Sequence, residues 1–155
     1  MTTYIAEPVV PEILKKVLSD NWQNYGGKIP TPEIVEINVP EEQQIRYNFL
    51  NRDHIFIRID PGLGESARPR DTYVYWDFTF NIIIDILTAQ SRQRLYDLKQ
   101  EIRRILIYKM HDLDVNKYQL LLYKGFNELP QEAVKIWKGI VRVSFESAAV
   151  YKAVE

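Results

Sequence analysis

Between Tyr73 and Ile86 the chain alternates with a period of two. Val74, Trp76, Phe78, Phe80, Ile82, Ile84 and Ile86 are apolar, whereas Tyr73, Tyr75, Asp77, Thr79, Asn81 and Asp85 are polar or amphipathic, with Ile83 the one exception. Such alternation predicts a strand with one face on a core and one toward water. A run of about 14 residues reaches roughly 45 Å at strand rise, more than a small sheet needs. Part of it is therefore expected to extend beyond the body or to bend at a bulge.

The rest of the chain falls into elements around that strand. Ile55, Phe56, Ile57, Arg58 and Ile59 predict a shorter strand, closed by Asp60, Pro61, Gly62 and Gly64. Upstream, Ile13, Leu14, Val17, Leu18 and Trp22 share a helical face opposite Lys15, Lys16 and Asp20; Pro11 suits the first turn, and Gly26 and Gly27 stop the helix. Residues 33–39 predict a short edge strand and residues 45–50 another, in a stretch interrupted by Pro30, Pro32 and Pro40. Leu95, Leu98, Ile102, Ile105 and Leu106 mark an amphipathic helix that Thr88 or Ser91 can cap. Residues 118–123 and 135–145 read as two further strands, the last with Trp137, Val141, Val143 and Phe145 on one face, joined through residues 125–133. Residues 1–10 show no period and are expected to be a terminal arm that either docks on something or stays mobile. The order predicts an α+β fold: a mainly antiparallel twisted sheet of four to five strands, with an N-terminal helix and a central helix packed on one face. At 155 residues this is one domain, spanning 1–155.

Composition narrows the function classes. Lys plus Arg number 20 against 21 Asp plus Glu, a formal net charge of −1, so no long-range positive field advertises nucleic acid or an anionic membrane. With no cysteine there is no disulfide framework, thiol nucleophile or thiolate metal site. No apolar run approaches the roughly 20 residues of a membrane span, and the N-terminus lacks the order of a signal peptide. A soluble intracellular protein is expected.

Candidate chemistry is sparse. Gly62, Gly64 and Ala67 match the spacing of a dinucleotide loop after a strand, with Asp85 downstream, but Pro69 and then strict alternation follow where a helix must open. His111, Asp112, Asp114 and Asn116 suggest a calcium loop, yet Lys117 and Tyr123 occupy the positions that need glycine and glutamate. His54 and His111 stand on different elements with no second histidine at helical spacing. Asp77 and Asp85 are roughly 26 Å apart at strand rise, too far for a two-carboxylate or two-metal centre. The triplet Asp97, Leu98, Lys99 is helical. These readings predict no catalytic residues, no metal, no cofactor and no enzymatic activity.

Interface chemistry is richer. The loop at residues 61–71 carries Glu65, Arg68 and Arg70 and is long for a hairpin connection, which reads either as a grip on a neighbouring subunit or as a solvated loop. Ten tyrosines and three tryptophans point the same way, since Tyr73 and Tyr75 on the wet strand face are rings that interfaces favour. The central helix bears Arg92, Arg94, Lys99, Arg103 and Arg104 against Asp97 and Glu101, a face that reads as solvated or as a nucleic-acid patch.

An N-terminal helix before Gly26 and Gly27, a hairpin of residues 55–59 and 73–86 around a long loop, the helix of residues 91–109 and two final strands together resemble the tail terminator family of long-tailed bacteriophages, which includes tail-completion and minor tail proteins. The segment from Pro30 to Leu50 is longer than in the simplest members. The resemblance implies a structural virion protein at the head-proximal end of the tail, assembled in the host cytoplasm. It implies a homo-oligomeric, hexameric ring that caps the tail tube and joins it to the head connector. Its partners would be itself, tail tube protein and a head connector or neck protein, with DNA only as passing cargo and no membrane. Subunit or ring contacts are expected at Glu65, Arg68, Arg70, Tyr73 and Tyr75. Two other readings are a different connector or baseplate component, and a small α+β enzyme or nucleic-acid module using the basic helix face.

Overall fold

The computed structural model describes residues 9–36, 52–69, 75–110, 119–131 and 136–150. Through them the chain runs α1 (Val10–Asn21), β1 (Glu33–Val35), β2 (His54–Ile59), β3 (Glu65–Pro69), β4 (Tyr75–Thr88), α2 (Arg92–Tyr108), β5 (Gln119–Glu128) and β6 (Trp137–Val150). The fold is α+β, with two helices and a mixed, mostly antiparallel six-stranded sheet in the order β1-β2-β4-β6-β5. The sixth strand is β3, which continues the line of β2 along the same side of β4.

The alternating run forms the centre of the sheet. β4 pairs over its whole length with β6, from Tyr75 opposite Val150 to Thr88 opposite Trp137. Its core face is Ile82, Ile84 and Ile86, which join Ile55, Ile57, Leu121, Val141, Val143 and Phe145 beneath Leu14 and Leu18 of α1 and Leu95, Leu98, Ile102, Ile105 and Leu106 of α2. Each fully buried leucine or isoleucine contributes roughly 1.5–3 kcal/mol relative to exposure, so this row anchors both helices. Phe80 packs against that core, and beyond it the same face continues as Phe78 and Trp76, half-buried. The long strand thus outreaches the helix-covered core, but paired with β3 and β6, and through β6 with β5 as far as Gln119, and not as a lone strand.

The opposite face of β4 is wet only toward that extension. Ile83 is buried and Asp85 wholly so, and Leu87 and Phe56 form a second cluster with Val35, Ala89 and Ile136. The period-two pattern placed Asp85 toward water; the correction comes from tertiary contacts. Arg58, on the same face of β2, satisfies the carboxylate through Nε at 2.7 Å, which makes burial tolerable.

Local boundaries differ from the sequence pattern for physical reasons. Residues 65–69 are a strand and not a loop, because β4 offers them an unpaired edge. β5 runs on to Glu128 where a connection was expected, by absorbing one extra residue in a bulge between Tyr123 and Gly125, whose φ of 147° suits glycine. α1 ends at Asn21, before Gly26 and Gly27, as Trp22 turns to extended backbone and its Nε1 donates to the Ile29 carbonyl at 3.0 Å. α2 begins where expected, with the Ser91 hydroxyl accepting the Arg94 N–H. Only β1 of the two predicted upstream strands is described; residues 45–50 lie outside the described residues. β1 pairs parallel with β2.

Candidate assembly surface

β2 and β3 are separated by a compact knuckle at residues 60–64, opposite Asn81. Asp60 makes an Asx turn, its Oδ1 accepting the Gly62 N–H at 2.8 Å and the Leu63 N–H at 3.3 Å. The Gly64 N–H donates to the Asp60 carbonyl, and Asn81 closes the structure from β4, accepting from the Asp60 N–H and donating its own N–H to the Gly64 carbonyl. The Asn81 side-chain amide donates to that carbonyl as well, at 3.2 Å. The result presents Leu63 to solvent at 66% exposure, flanked by Ile59, also exposed, and Glu65.

The residues expected to form subunit contacts divide. Glu65 and Arg68 sit on β3, every residue of which is exposed, and the Arg68 Nε lies 3.8 Å from the Asp77 carboxylate across the strand pair. Tyr75 opens β4, and its side chain, like Arg70 and Tyr73, lies outside the described residues. The dinucleotide-like glycines fall in the knuckle and lead into a strand, so no helix N-terminus faces a ligand there. His111, Asp112, Asp114 and Asn116 lie outside the described residues. Among the described residues no three His, Asp or Glu side chains gather where they could hold a metal ion, and no helix is long and apolar enough to cross a membrane.

The basic face of α2 is largely engaged within the subunit. Arg92 forks onto Glu128 of β5, with Nε and Nη2 at 2.8 and 2.9 Å, and Tyr96 donates its hydroxyl to the same carboxylate at 2.6 Å. Hydrogen bonds from Arg92 and Tyr96 hold the Glu128 carboxyl below its ordinary pKa, while Glu128 raises that of the Tyr96 hydroxyl. Arg94 pairs at 3.1 Å with Asp53, a buried carboxylate that also accepts the Thr88 hydroxyl at 2.5 Å. Lys99 lies over the rings of Tyr96 and Phe126, and its ammonium pKa is lowered by desolvation and then by Arg103. Phosphate binding along this face would have to compete with those partners.

A second surface forms where α2 meets the turn after α1. Glu101 is buried on α2 and accepts the Tyr25 hydroxyl at 2.7 Å, the Gln23 N–H at 3.1 Å and the Arg104 guanidinium, whose Nη2 also donates to the Asn21 carbonyl. Burial alone would raise the Glu101 pKa, but the bonds from Arg104, Tyr25 and Gln23 outweigh it and leave the carboxyl below its usual value. Tyr25 is fixed with a left-handed backbone, φ 51°, and half its ring remains exposed. Beside it, Ile107 and Tyr108 are 58% and 70% exposed. Together with Gln100, Arg103 and Arg104 these residues line an open cleft of about 430 Å³. The sequence signal for this patch was weak: Ile107 and Tyr108 simply fall off the buried stripe of α2.

No protein-family model matches this chain, and no curated protein matches it in sequence.

Proposed function

We propose that this protein is a structural assembly subunit of the tail terminator type, forming a ring, hexameric by resemblance, that caps a phage tail tube and joins it to the head connector. The observation that carries the reading is the sheet's extension: β4 and β6 continue past the helix-covered core with Trp76 and Phe78 along one face and the wholly exposed β3 at the edge. Among the described residues this extension buries no side chain fully, which suits contact with neighbouring subunits better than enclosure of a substrate. The net charge of −1 suits a lumen through which DNA slides without being held. The engaged arginines of α2 favour assembly over a nucleic-acid module.

The test is the native mass of the purified chain across a concentration series, alone and with tail tube protein, by light scattering. A closed oligomer of fixed stoichiometry is expected, either alone or on adding tube protein. A strict monomer that binds neither tube protein nor connector protein would overturn the reading. Copurification with connector or baseplate protein but not with tube protein would move the subunit elsewhere in the virion.

A further inference from the structure

The knuckle and the cleft are separate surfaces of the subunit: the knuckle lies at the β2–β3 side of β4, and the cleft lies in the helix layer where α2 meets the turn after α1. Glu65 is opposite Phe80, Phe80 opposite Phe145, and Phe145 opposite Leu121, so one transverse row crosses β3, β4, β6 and β5. At its far end the Leu121 N–H donates to the carbonyl of Met110, two residues beyond Tyr108. Three interstrand gaps make that row about 14 Å across. Glu65 shares a sheet face with Phe80 and Phe145, the face on which α2 lies.

One surface projects and the other is concave, and they carry opposite charges. The knuckle is a knob, fixed by the Asp60 turn and by Asn81, with exposed Leu63 at its tip and the carboxylate of Glu65 beside it. The cleft is concave, walled by Tyr25, Ile107 and Tyr108, with the guanidinium of Arg103 on its lining and that of Arg104 held by Glu101. Tyrosine and arginine are the residues on which interface energy concentrates, and a knob ordered in advance loses little entropy on docking. A patch and its complement at separate places on one subunit do not satisfy each other within it. They make a heterologous contact, which closes into a ring when the rotation per subunit permits.

We propose that the Leu63 knuckle of one copy seats in the Tyr25–Ile107–Tyr108 cleft of the next, with Glu65 facing Arg103, and that this head-to-tail contact builds the ring. The proposal rests on the ring reading above and names its interface.

The absence of cysteine from the chain makes the test clean. Leu63→Cys and Tyr108→Cys are introduced into the full-length chain, singly and together, and oxidised under conditions where the native oligomer has been measured. The double variant is expected to give a ladder of disulfide-linked species ending at the ring size. A mixture of the single variants should yield the L63C–Y108C dimer, and neither single variant alone should exceed background. As an independent arm, Glu65→Arg and Arg103→Glu should each weaken assembly at least tenfold, and the two together should recover most of it. A ring that forms without L63C–Y108C cross-links, or cross-links predominantly L63C to L63C, overturns this contact and leaves the ring. A strict monomer overturns both.

Discussion

The Tyr25 hydroxyl lies 2.7 Å from Oε2 of Glu101, tying the turn after α1 to the middle of α2 through a carboxylate that is itself buried. The pair does two things at once. It satisfies an anion that burial would otherwise make costly, and it fixes a half-exposed aromatic ring as one wall of the cleft. Stability and surface shape therefore depend on the same contact.

Glu101→Gln is expected to destabilise the fold by about 2–3 kcal/mol at neutral pH, since charge-assisted bonds from Arg104 are lost within a buried site. Because the folded carboxyl has a depressed pKa, its contribution is present above the unfolded value, near 4.5, and is lost as pH falls through the lower folded value. The stability gap between wild type and E101Q, from urea titrations at a series of pH values, should be constant from pH 6 to 8 and should shrink below about pH 4.5.

Gly139→Ala tests a close approach. Gly139 stands opposite Glu128 in β6, and a methyl there would overlap the Phe126 ring and crowd Leu95. That ring already meets Tyr96 edge-on at 5.6 Å and cannot simply swing aside. A loss of about 1–3 kcal/mol is expected in denaturant unfolding, with Phe126→Leu relieving part of it in the double variant.

Arg58 and Asp85 hold the second face together. Arg58→Met should cost about 3–5 kcal/mol, because it removes the Arg58 countercharge from a carboxylate that is wholly buried. Replacing both residues, as Arg58→Met with Asp85→Leu, should restore most of that loss if the pair serves specificity more than stability. Thermal unfolding of the wild type and the two variants decides between these outcomes.

Arg68→Glu with Arg70→Glu is expected to leave the subunit's stability within about 0.5 kcal/mol of wild type, since Arg68 is 83% exposed and its pair with Asp77 is loose at 3.8 Å. The same change should weaken assembly, as reported by native mass. Unchanged assembly would remove the basic positions of this hairpin from the interface.

Much of the fold was legible in the chain because the signals were local. The alternation from Phe78 to Ile86 specified β4, the spacing of Leu95, Leu98, Ile102 and Ile105 specified α2, and Ser91 marked its start. Each follows from the geometry of a single element, with period 2.0 or 3.6 and one capping oxygen. What lay beyond reach depended on partners distant in sequence. Residues 65–69, with two charges and a proline, carry no strand pattern, and they extend because β4 provides the other half of the ladder. Asp85 occupies a position that alternation assigns to water, and it is buried because Arg58, 27 residues away in sequence, supplies the countercharge. The basic residues of α2 read as a free cationic face, yet Arg92, Arg94 and Arg104 are held by Glu128, Asp53 and Glu101. Pairing of charges is a tertiary property that a count of charges does not contain. The same holds for the candidate interface: the sequence supplied Glu65, Arg68 and a tyrosine-rich surface, while tertiary contacts alone built the Leu63 knuckle against Asn81 and the cleft around Tyr25 and Tyr108.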